Sequence, residues 1–397
     1  MGNDKMTDNT RYWIWLSQAL GYCNAKHKYL FSLYSDISTL YEGGETEFRF
    51  CGVFSQSEIN RLCRTDISEA DRIMEKCKGL GFSIFSIDDP LYPDSLRSIE
   101  DPPAVIYVQG NLPDVDNLNT ISIIGTRKAT VYGVRTAFEL GANLSREGFV
   151  VVSGGALGID CAAHRGVLQE GGVTLCVLGC GIDYDYLREN KSMRQAITEK
   201  GALISEYPPG TPSSTRNFPQ RNRIISALSK GLVVVEAPKA SGSMITVGFA
   251  LAQNKDIFAV MGNVDSPYSE GSNALIKDGA TPVTSYKDIA EFYLGVGYDI
   301  KPSRRYEDKV ISSVPTKLKN STDTTKKDNS PLPTHKSSLS LSDSERLIYY
   351  TIGNSPVHVD SIAEQSALPV HQVLRILSVL EMNDLITDIG GRNYVIK

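Results

Sequence analysis

The chain has 397 residues, of which 41% are apolar, so it is long enough for two or three domains with well-buried cores. The formal net charge of −5 argues against general polyanion binding. However, residues 121–290 carry 17 basic against 15 acidic side chains, whereas residues 1–120 carry 11 against 18. A polyanion site is therefore expected in the middle of the chain.

The composition also predicts the cellular environment. There is no signal peptide and no apolar run of about 18 residues, which predicts no membrane partner. The seven cysteines form no C-x-x-C pair. Cys161, Cys176 and Cys180 could be considered as metal ligands, but Cys176 lies in an apolar strand. We expect a cytoplasmic protein with reduced thiols, no metal and no cofactor.

Residues 1–80 are predicted to form a small helical domain. Apolar residues recur at helical spacing over Arg11–Leu20 and Ala25–Leu33, and a third helix is predicted over Ile67–Cys77. Because this region is acidic, a packing role is favoured over contact with DNA.

Residues 81–295 are predicted to form an α/β domain with a Rossmann-like, doubly wound parallel sheet, since short apolar strands alternate with helices. The predicted strands are Phe82–Ile87, Pro102–Val108, Ile121–Ile124, Val150–Val152, Thr174–Leu178, Ala202–Ser205, Leu232–Val235, Ile257–Val260 and Pro282–Thr284. The predicted helices are Val131–Arg146, Ile159–Glu170, Lys191–Thr198, Arg221–Leu228, Ser243–Gln253 and Asn273–Lys277.

Ligands bind such a sheet outside the carboxyl ends of its strands, so the residues after each strand are the candidates. The Gly-rich turn between Val152 and the helix at Ile159 exposes backbone N–H groups at a helix N-terminus, which favours a phosphate. A single turn of this kind is as often empty. Several strand ends here carry Gly, Ser, Thr or Arg, which suits a chain of phosphates. The candidates are Gly125, Thr126, Arg127, Ser153, Gly154, Gly155, Arg188, Ser241 and Gly242.

A further candidate group, Phe218, Arg221, Asn222 and Arg223, stands at the start of an apolar helix. A base can stack on an aromatic ring while an arginine holds a phosphate, so this group suits a nucleic-acid strand. Alternatively, Phe218 belongs to the core and one arginine pairs with Glu206 or Glu236. The sequence leaves both interpretations open.

A nucleotide or nucleoside-phosphate hydrolase is the alternative function on the same sheet. His164 and Asp160 lie four residues apart on one helix, and Glu206 or Glu236 could serve as a base. A packing role for His164 is favoured over catalysis. No G-x-x-x-x-G-K-[ST] loop occurs, and no G-x-G-x-x-G follows the first parallel strand, which argues against a dinucleotide-binding dehydrogenase.

The C-terminal part divides into a predicted disordered basic linker, residues 296–340, and a compact unit, residues 341–397. The unit is predicted to be a winged helix with a hairpin at Gly390-Gly391 and with helices over Ser344–Ile352, Val359–Glu364 and Val370–Met382. Arg375 is the only formal cation of the third helix, so protein contact is favoured over insertion into a DNA groove.

Several motifs, in this order, resemble the bacterial DNA-processing protein A (DprA/Smf) family, closely over residues 80–290. They are Ile121–Arg127, Ser153–Asp160, Phe218–Ile225, Glu236-Ala237 with Ser241–Thr246, and Gly271–Asn273 with Gly279-Ala280. The resemblance implies a non-enzymatic, dimeric recombination mediator. Such a protein binds single-stranded DNA, protects incoming strands in natural transformation and loads the RecA recombinase.

The resemblance also implies roles for individual residues. Arg127 would hold a phosphate, Arg188 would be the basic residue of its loop, and Phe218 would contact a base. Asn273 and Ile276 fall where the family's dimer contact is often found.

The chain departs from the family pattern at three places. The family usually has Tyr-Pro at Tyr186-Leu187 and Pro-Gly at Met261-Gly262. Thr215 stands where some members have a basic residue, a role that Arg216 could take. The loop that carries Arg188 is therefore expected to differ.

Overall fold

The computed structural model describes residues 9–295, 348–349, 352, 357–366, 368, 370–382, 385–388 and 393–396. The chain divides into two compact units, Met1–Lys317 and Leu318–Lys397. The linker predicted over residues 296–340 lies outside the described residues.

The first unit is built on a sheet of nine strands in the order β1-β2-β6-β5-β4-β3-β7-β8-β9. The strands are β1 (Ser83–Ser86), β2 (Val105–Gly110), β3 (Thr120–Ile124), β4 (Val150–Ser153), β5 (Thr174–Leu178), β6 (Ala202–Ser205), β7 (Gly231–Val234), β8 (Asp256–Val260) and β9 (Thr281–Val283). β1, β2 and β6 pair antiparallel, while β3 to β9 form a parallel sheet. The chain winds from β3 outward through β4 to β6, then returns to β7 on the other side of β3. The predicted doubly wound sheet is confirmed, and its switch point lies between β3 and β7.

The described helices of this unit lie before, between and after its strands. They are α1 (Thr10–Leu20), α2 (Lys26–Leu33), α3 (Ser38–Phe50), α4 (Gln56–Arg64), α5 (Ser68–Leu80), α6 (Asp94–Arg97), α7 (Val131–Arg146), α8 (Ile159–Gln169), α9 (Lys191–Thr198), α10 (Asn217–Ala227), α11 (Ser243–Ala252), α12 (Glu270–Lys277) and α13 (Tyr286–Leu294). α7 and α9 have the predicted bounds. α10 begins four residues before the predicted start because Pro219, which lacks an N–H, is tolerated in a first helical turn.

The sheet separates two hydrophobic clusters, since successive strand residues point to opposite faces. In β4, Val151 belongs to one cluster and Val150 and Val152 to the other. The second of these clusters continues into the N-terminal helices, where Trp13 and Trp15 of α1 are almost fully buried. The helices before β1 therefore share a core with the sheet, and the domain boundary near residue 80 stays a prediction.

The second unit contains β10 (Val357–His358), α14 (Val359–Ser366), α15 (Val370–Met382), β11 (Ile386–Asp388) and β12 (Asn393–Ile396). The strands form a sheet in the order β10-β12-β11. Fully buried side chains of α14 and α15, including Ile362, Val373 and Leu377, form its core. Only residues 348, 349 and 352 of the first predicted helix are described, and Gly390-Gly391 lies outside the described residues.

Across the described residues, every helix falls short of the length or the hydropathy needed to cross a membrane.

Candidate nucleic-acid interface

A cavity of about 470 Å³ lies at the carboxyl edge of the sheet, beside the switch point. It brings together residues that follow β3, precede or begin α10, and begin α11. The predicted site residues that line it are Gly125, Thr126, Arg127, Phe218, Arg221, Asn222, Ser241 and Gly242.

Three helices begin at this cavity: α8, whose Asp160 lines it, α10 with Phe218, and α11 with Ser243. The first N–H groups of a helix have no partner within the helix and carry the positive end of its dipole. Three such ends at one cavity favour a bound anion.

Arg127 is exposed at the mouth of this cavity and is held by an aromatic ring. Its guanidinium carbon lies 5.2 Å from the centroid of the Phe218 ring, a cation–π distance. The ring of Tyr186 lies 5.1 Å from that of Phe218, centroid to centroid. Sequence reasoning did not include Tyr186 in the site, although an aromatic residue two positions before Arg188 was a signal.

The loop that carries Arg127 is tied to the neighbouring strand end. The N–H of Thr126 donates to the carbonyl of Glu236 at 2.7 Å. The carboxylate of Glu236 accepts from the N–H of Thr130 at 2.9 Å and from its hydroxyl at 2.5 Å. Glu236 therefore fixes the loop, and both of its oxygens are engaged.

The Gly-rich turn is packed into the protein more than the sequence suggested. Ser153 is fully buried, and its hydroxyl donates to the carbonyl of Ile123 at 2.7 Å. A side chain at Gly154 would meet the guanidinium of Arg221 at 2.7 Å, and Gly155 has a φ of +65°. Ser153, Gly154 and Gly155 do not line the cavity, because they pack against neighbouring strands and Arg221, and their contact with a strand stays a prediction.

Arg221 lines the cavity with its charge directed into the interior. Its guanidinium donates to the carbonyl of Gly154 at 2.8 Å and to that of Val177. Burial lowers the pKa of Arg221, while nearby Asp160 opposes this shift. Burial also disfavours the charged form of Asp160 and so raises the pKa of Asp160. The pair holds the Gly-rich turn beside the end of β5.

Arg223 lies outside the cavity, contrary to the prediction. Its side chain is fully buried and makes ion pairs with Glu206 at 2.8 Å and Asp101 at 3.1 Å. Burial opposes its charge, but Glu206 raises the pKa of Arg223 above its usual value. The alternative weighed from the sequence, in which one arginine pairs with Glu206, is confirmed for Arg223.

The groups considered for hydrolysis are occupied elsewhere. His164 is fully buried, and its Nδ1 lies 2.8 Å from the hydroxyl of Thr174. Burial, with Arg221 nearby, lowers the pKa of His164 to about 3. Glu206 binds Arg223 and Glu236 binds Thr130. The packing role favoured for His164 is confirmed, and neither glutamate lines this cavity.

Arg188 does not line the cavity and lies on a separate loop. Its side chain is 86% exposed and pairs with Asp185 at 3.0 Å. Leu187 has a φ of +50°, a value that proline cannot adopt. The loop therefore differs from one built on Tyr-Pro, as the sequence predicted.

Asn273 and Ile276 lie on α12 and are partly buried within the chain. The side-chain amide of Asn273 donates to the carbonyl of Gly262 at 3.1 Å and accepts from its N–H at 3.2 Å. Ile276 packs against the main hydrophobic cluster. Their role in a dimer stays a prediction.

The fold and the cavity define a class of protein: a Rossmann-like sheet with an anion-favouring cavity at its switch point, followed by a separate small α/β unit. Two family models match the chain, DNA recombination-mediator protein A over residues 83–294 and the DprA winged helix domain over residues 332–392. The chain belongs to the DNA processing protein A (DprA/Smf) family, whose members are DNA-processing proteins.

Individual relatives agree with this assignment. DNA processing protein DprA of Bacillus subtilis is 38% identical over 220 residues, which cover 55% of this chain and 74% of that protein. The Streptococcus pneumoniae protein of the same name is 40% identical over 212 residues, which cover 53% and 74%. The X-ray structure of DNA processing protein A from Streptococcus pneumoniae is similar at a TM-score of 0.62 and 31% identity, covering 70% of this chain and 96% of that one. The predicted family and fold class, including the C-terminal winged helix, are confirmed.

Proposed function

We propose that the chain is a recombination mediator that binds single-stranded DNA along the carboxyl edge of its sheet. The observation that carries this proposal is the cavity where three helices begin and where Arg127 is held over the ring of Phe218. Helix N-termini and an arginine suit phosphates, and an aromatic ring suits an unpaired base.

The electrostatics of this edge support a strand rather than a single small anion. Arg127 and its neighbour Lys128 are both exposed, and neither has an ion-pair partner among the residues that the structure describes. Sites for single strands combine a cationic track with stacking rings, a combination that tolerates any base sequence.

The finer parts of the proposal follow from the family. The chain acts in the cytoplasm by binding rather than by catalysis, as a homodimer. It protects incoming single strands in natural transformation and loads RecA onto them. Residues 125–127, 221–222 and 241–242, with Phe218, form the proposed strand contact, while Arg188 joins it only after leaving Asp185.

The test is binding of the full chain to a fluorescent single-stranded oligonucleotide, with a duplex of the same sequence as competitor, at two salt concentrations. We expect a strong preference for the single strand that weakens as salt rises, because phosphate contacts release counterions. Absence of binding, or equal competition by the duplex, would refute the proposal.

A further inference from the structure

A second cavity, of about 350 Å³, lies at the same edge of the sheet. Thr130 lines this cavity, whereas Thr126 and Arg127 line the first one, so the loop 125–130 separates the two. The second cavity contains none of the predicted strand-binding residues. Its lining comes from the start of α7, from Glu236 after β7 and from the segment after β8.

An aromatic ring forms one wall of this cavity. The side chain of Tyr132 is 41% exposed, and its hydroxyl donates to the carbonyl of Met261 at 2.8 Å. Met261 is itself 45% exposed. The partly exposed ring of Tyr132 therefore offers a flat apolar surface on which a planar group can stack.

The charge of the second cavity excludes a phosphate. Glu236 is the only formally charged residue among the described residues that line it, and both oxygens of Glu236 are bound by Thr130. The remaining polar side chains are neutral: the amide of Asn263 and the hydroxyls of Thr130, Tyr132, Ser266 and Ser269. A planar, uncharged ligand with hydrogen-bonding edges fits this lining, and a nucleobase has that chemistry.

We propose that the second cavity holds a nucleobase of the same DNA strand whose phosphates lie along the loop 125–130. The inference rests on the proposed function. Arg127 and Lys128 stand on the loop between the two cavities, so a phosphate held there places one nucleotide on either side. Tyr132 would then be the stacking residue of a second base position.

The test uses single-stranded oligonucleotides that carry, at each position in turn, a fluorescent adenine analogue whose emission falls on stacking. The full chain is compared with Tyr132→Ala, Tyr132→Phe and the control Val131→Ala, whose side chain is 80% exposed and does not line the cavity. In Tyr132→Ala we expect loss of quenching at one strand position and binding weakened roughly five- to 100-fold. Tyr132→Phe should keep the quenching because it keeps the ring, and Val131→Ala should behave as the parent chain does.

Other results would overturn the inference in distinct ways. If Tyr132→Phe loses as much as Tyr132→Ala, the hydroxyl supports the Met261 segment and the ring does not stack a base. If strands bind as tightly to Tyr132→Ala and every position stays quenched, the cavity holds no base while the proposed function stands. If Tyr132→Ala changes the sedimentation of the chain, a second copy covers the cavity. If the parent chain binds no single strand, the proposed function itself fails.

Discussion

Arg221 and Arg223 are two residues apart on α10 and have opposite environments. Side chains at this spacing do not share a helix face. Arg221 points to the Gly-rich turn, whereas Arg223 points to Glu206 and Asp101. The sequence suggested that one arginine is structural, but it could not tell which, because the carboxylate partners lie 17 and 122 residues away along the chain.

Arg223→Met should destabilise the first unit by about 3–5 kcal/mol, because it leaves Glu206 buried without its partner. Urea unfolding followed by tryptophan fluorescence measures the change. The double variant Arg223→Met with Glu206→Leu should recover most of the loss, since no buried charge remains unpaired. If Arg223→Met unfolds at the same urea concentration as the parent chain, the ion pair is not stabilising.

Arg127→Ala should weaken single-strand binding and make its dependence on salt shallower, because one phosphate contact is lost. The matched control is Arg135→Ala, which removes an exposed positive charge on α7 that does not line the cavity. Fluorescence anisotropy at several salt concentrations measures both affinity and slope. Equal effects of the two variants would mean that only net charge matters and that Arg127 makes no specific contact.

His164 should make the first unit less stable as the pH falls. Its pKa is about 3 in the folded chain, whereas an unfolded histidine titrates near 6.5. Below pH ~6.5 the unfolded chain therefore binds a proton that the folded chain does not, and this contribution grows until the pH reaches about 3. Between pH 7 and 5 the loss is about 2 kcal/mol.

The measurement is the free energy of unfolding at both pH values for the parent chain and for His164→Asn, which retains a polar atom near Nδ1. The variant should lose less stability on acidification. An identical pH dependence in both chains would contradict a neutral, buried His164.

At the scale of elements, the sequence predicted the strands well because each is a short apolar run bounded by turn residues. It missed α6 and α13, and within the predicted helical region it did not delimit α3 and α4. α3 contains Gly43-Gly44 and is kinked at Gly44, which has a φ of +58°, so its periodicity is interrupted. α4 is mostly polar and begins with a capping box from Ser55 to Glu58. α4 packs against α1, and α3 contacts α1 through the rings of Tyr41 and Phe48 against Trp15. Local sequence patterns do not report such packing.

Gly158→Ala should disturb the site through the backbone. The added Cβ would lie 2.4 Å from the carbonyl of Thr126, so the Gly-rich turn and the loop of Arg127 must move apart. We expect both a lower free energy of unfolding and weaker strand binding. Gly148→Ala is the control for a positive φ without a close approach, because its φ is +87° and the new Cβ meets nothing within 4 Å. Equal stability and affinity of the two variants would mean that the close approach of Gly158 to Thr126 does not determine the structure of the site.

At the scale of the whole molecule, the prediction concerns dimerisation through α12. Ile276→Glu should yield monomers in sedimentation velocity if α12 forms the dimer face, because a carboxylate would be buried in an apolar contact. Lys277→Glu, at the exposed neighbouring position, controls for the change of charge. A persistent dimer of a folded Ile276→Glu chain would place the contact elsewhere.

The shared core of α1 and the sheet has a consequence for where this protein can be divided. The match to the family model begins at residue 83, which suggests that a fragment starting there would be a complete module. Such a fragment would lose Trp13 and Trp15, and Arg223 and Glu206 would lose the Cys23 backbone that caps their ion pair. Removing these helices would expose the apolar face of the sheet to solvent, and an exposed apolar face promotes aggregation. The N-terminal helices thus bury one face of the sheet and belong to the same hydrophobic core.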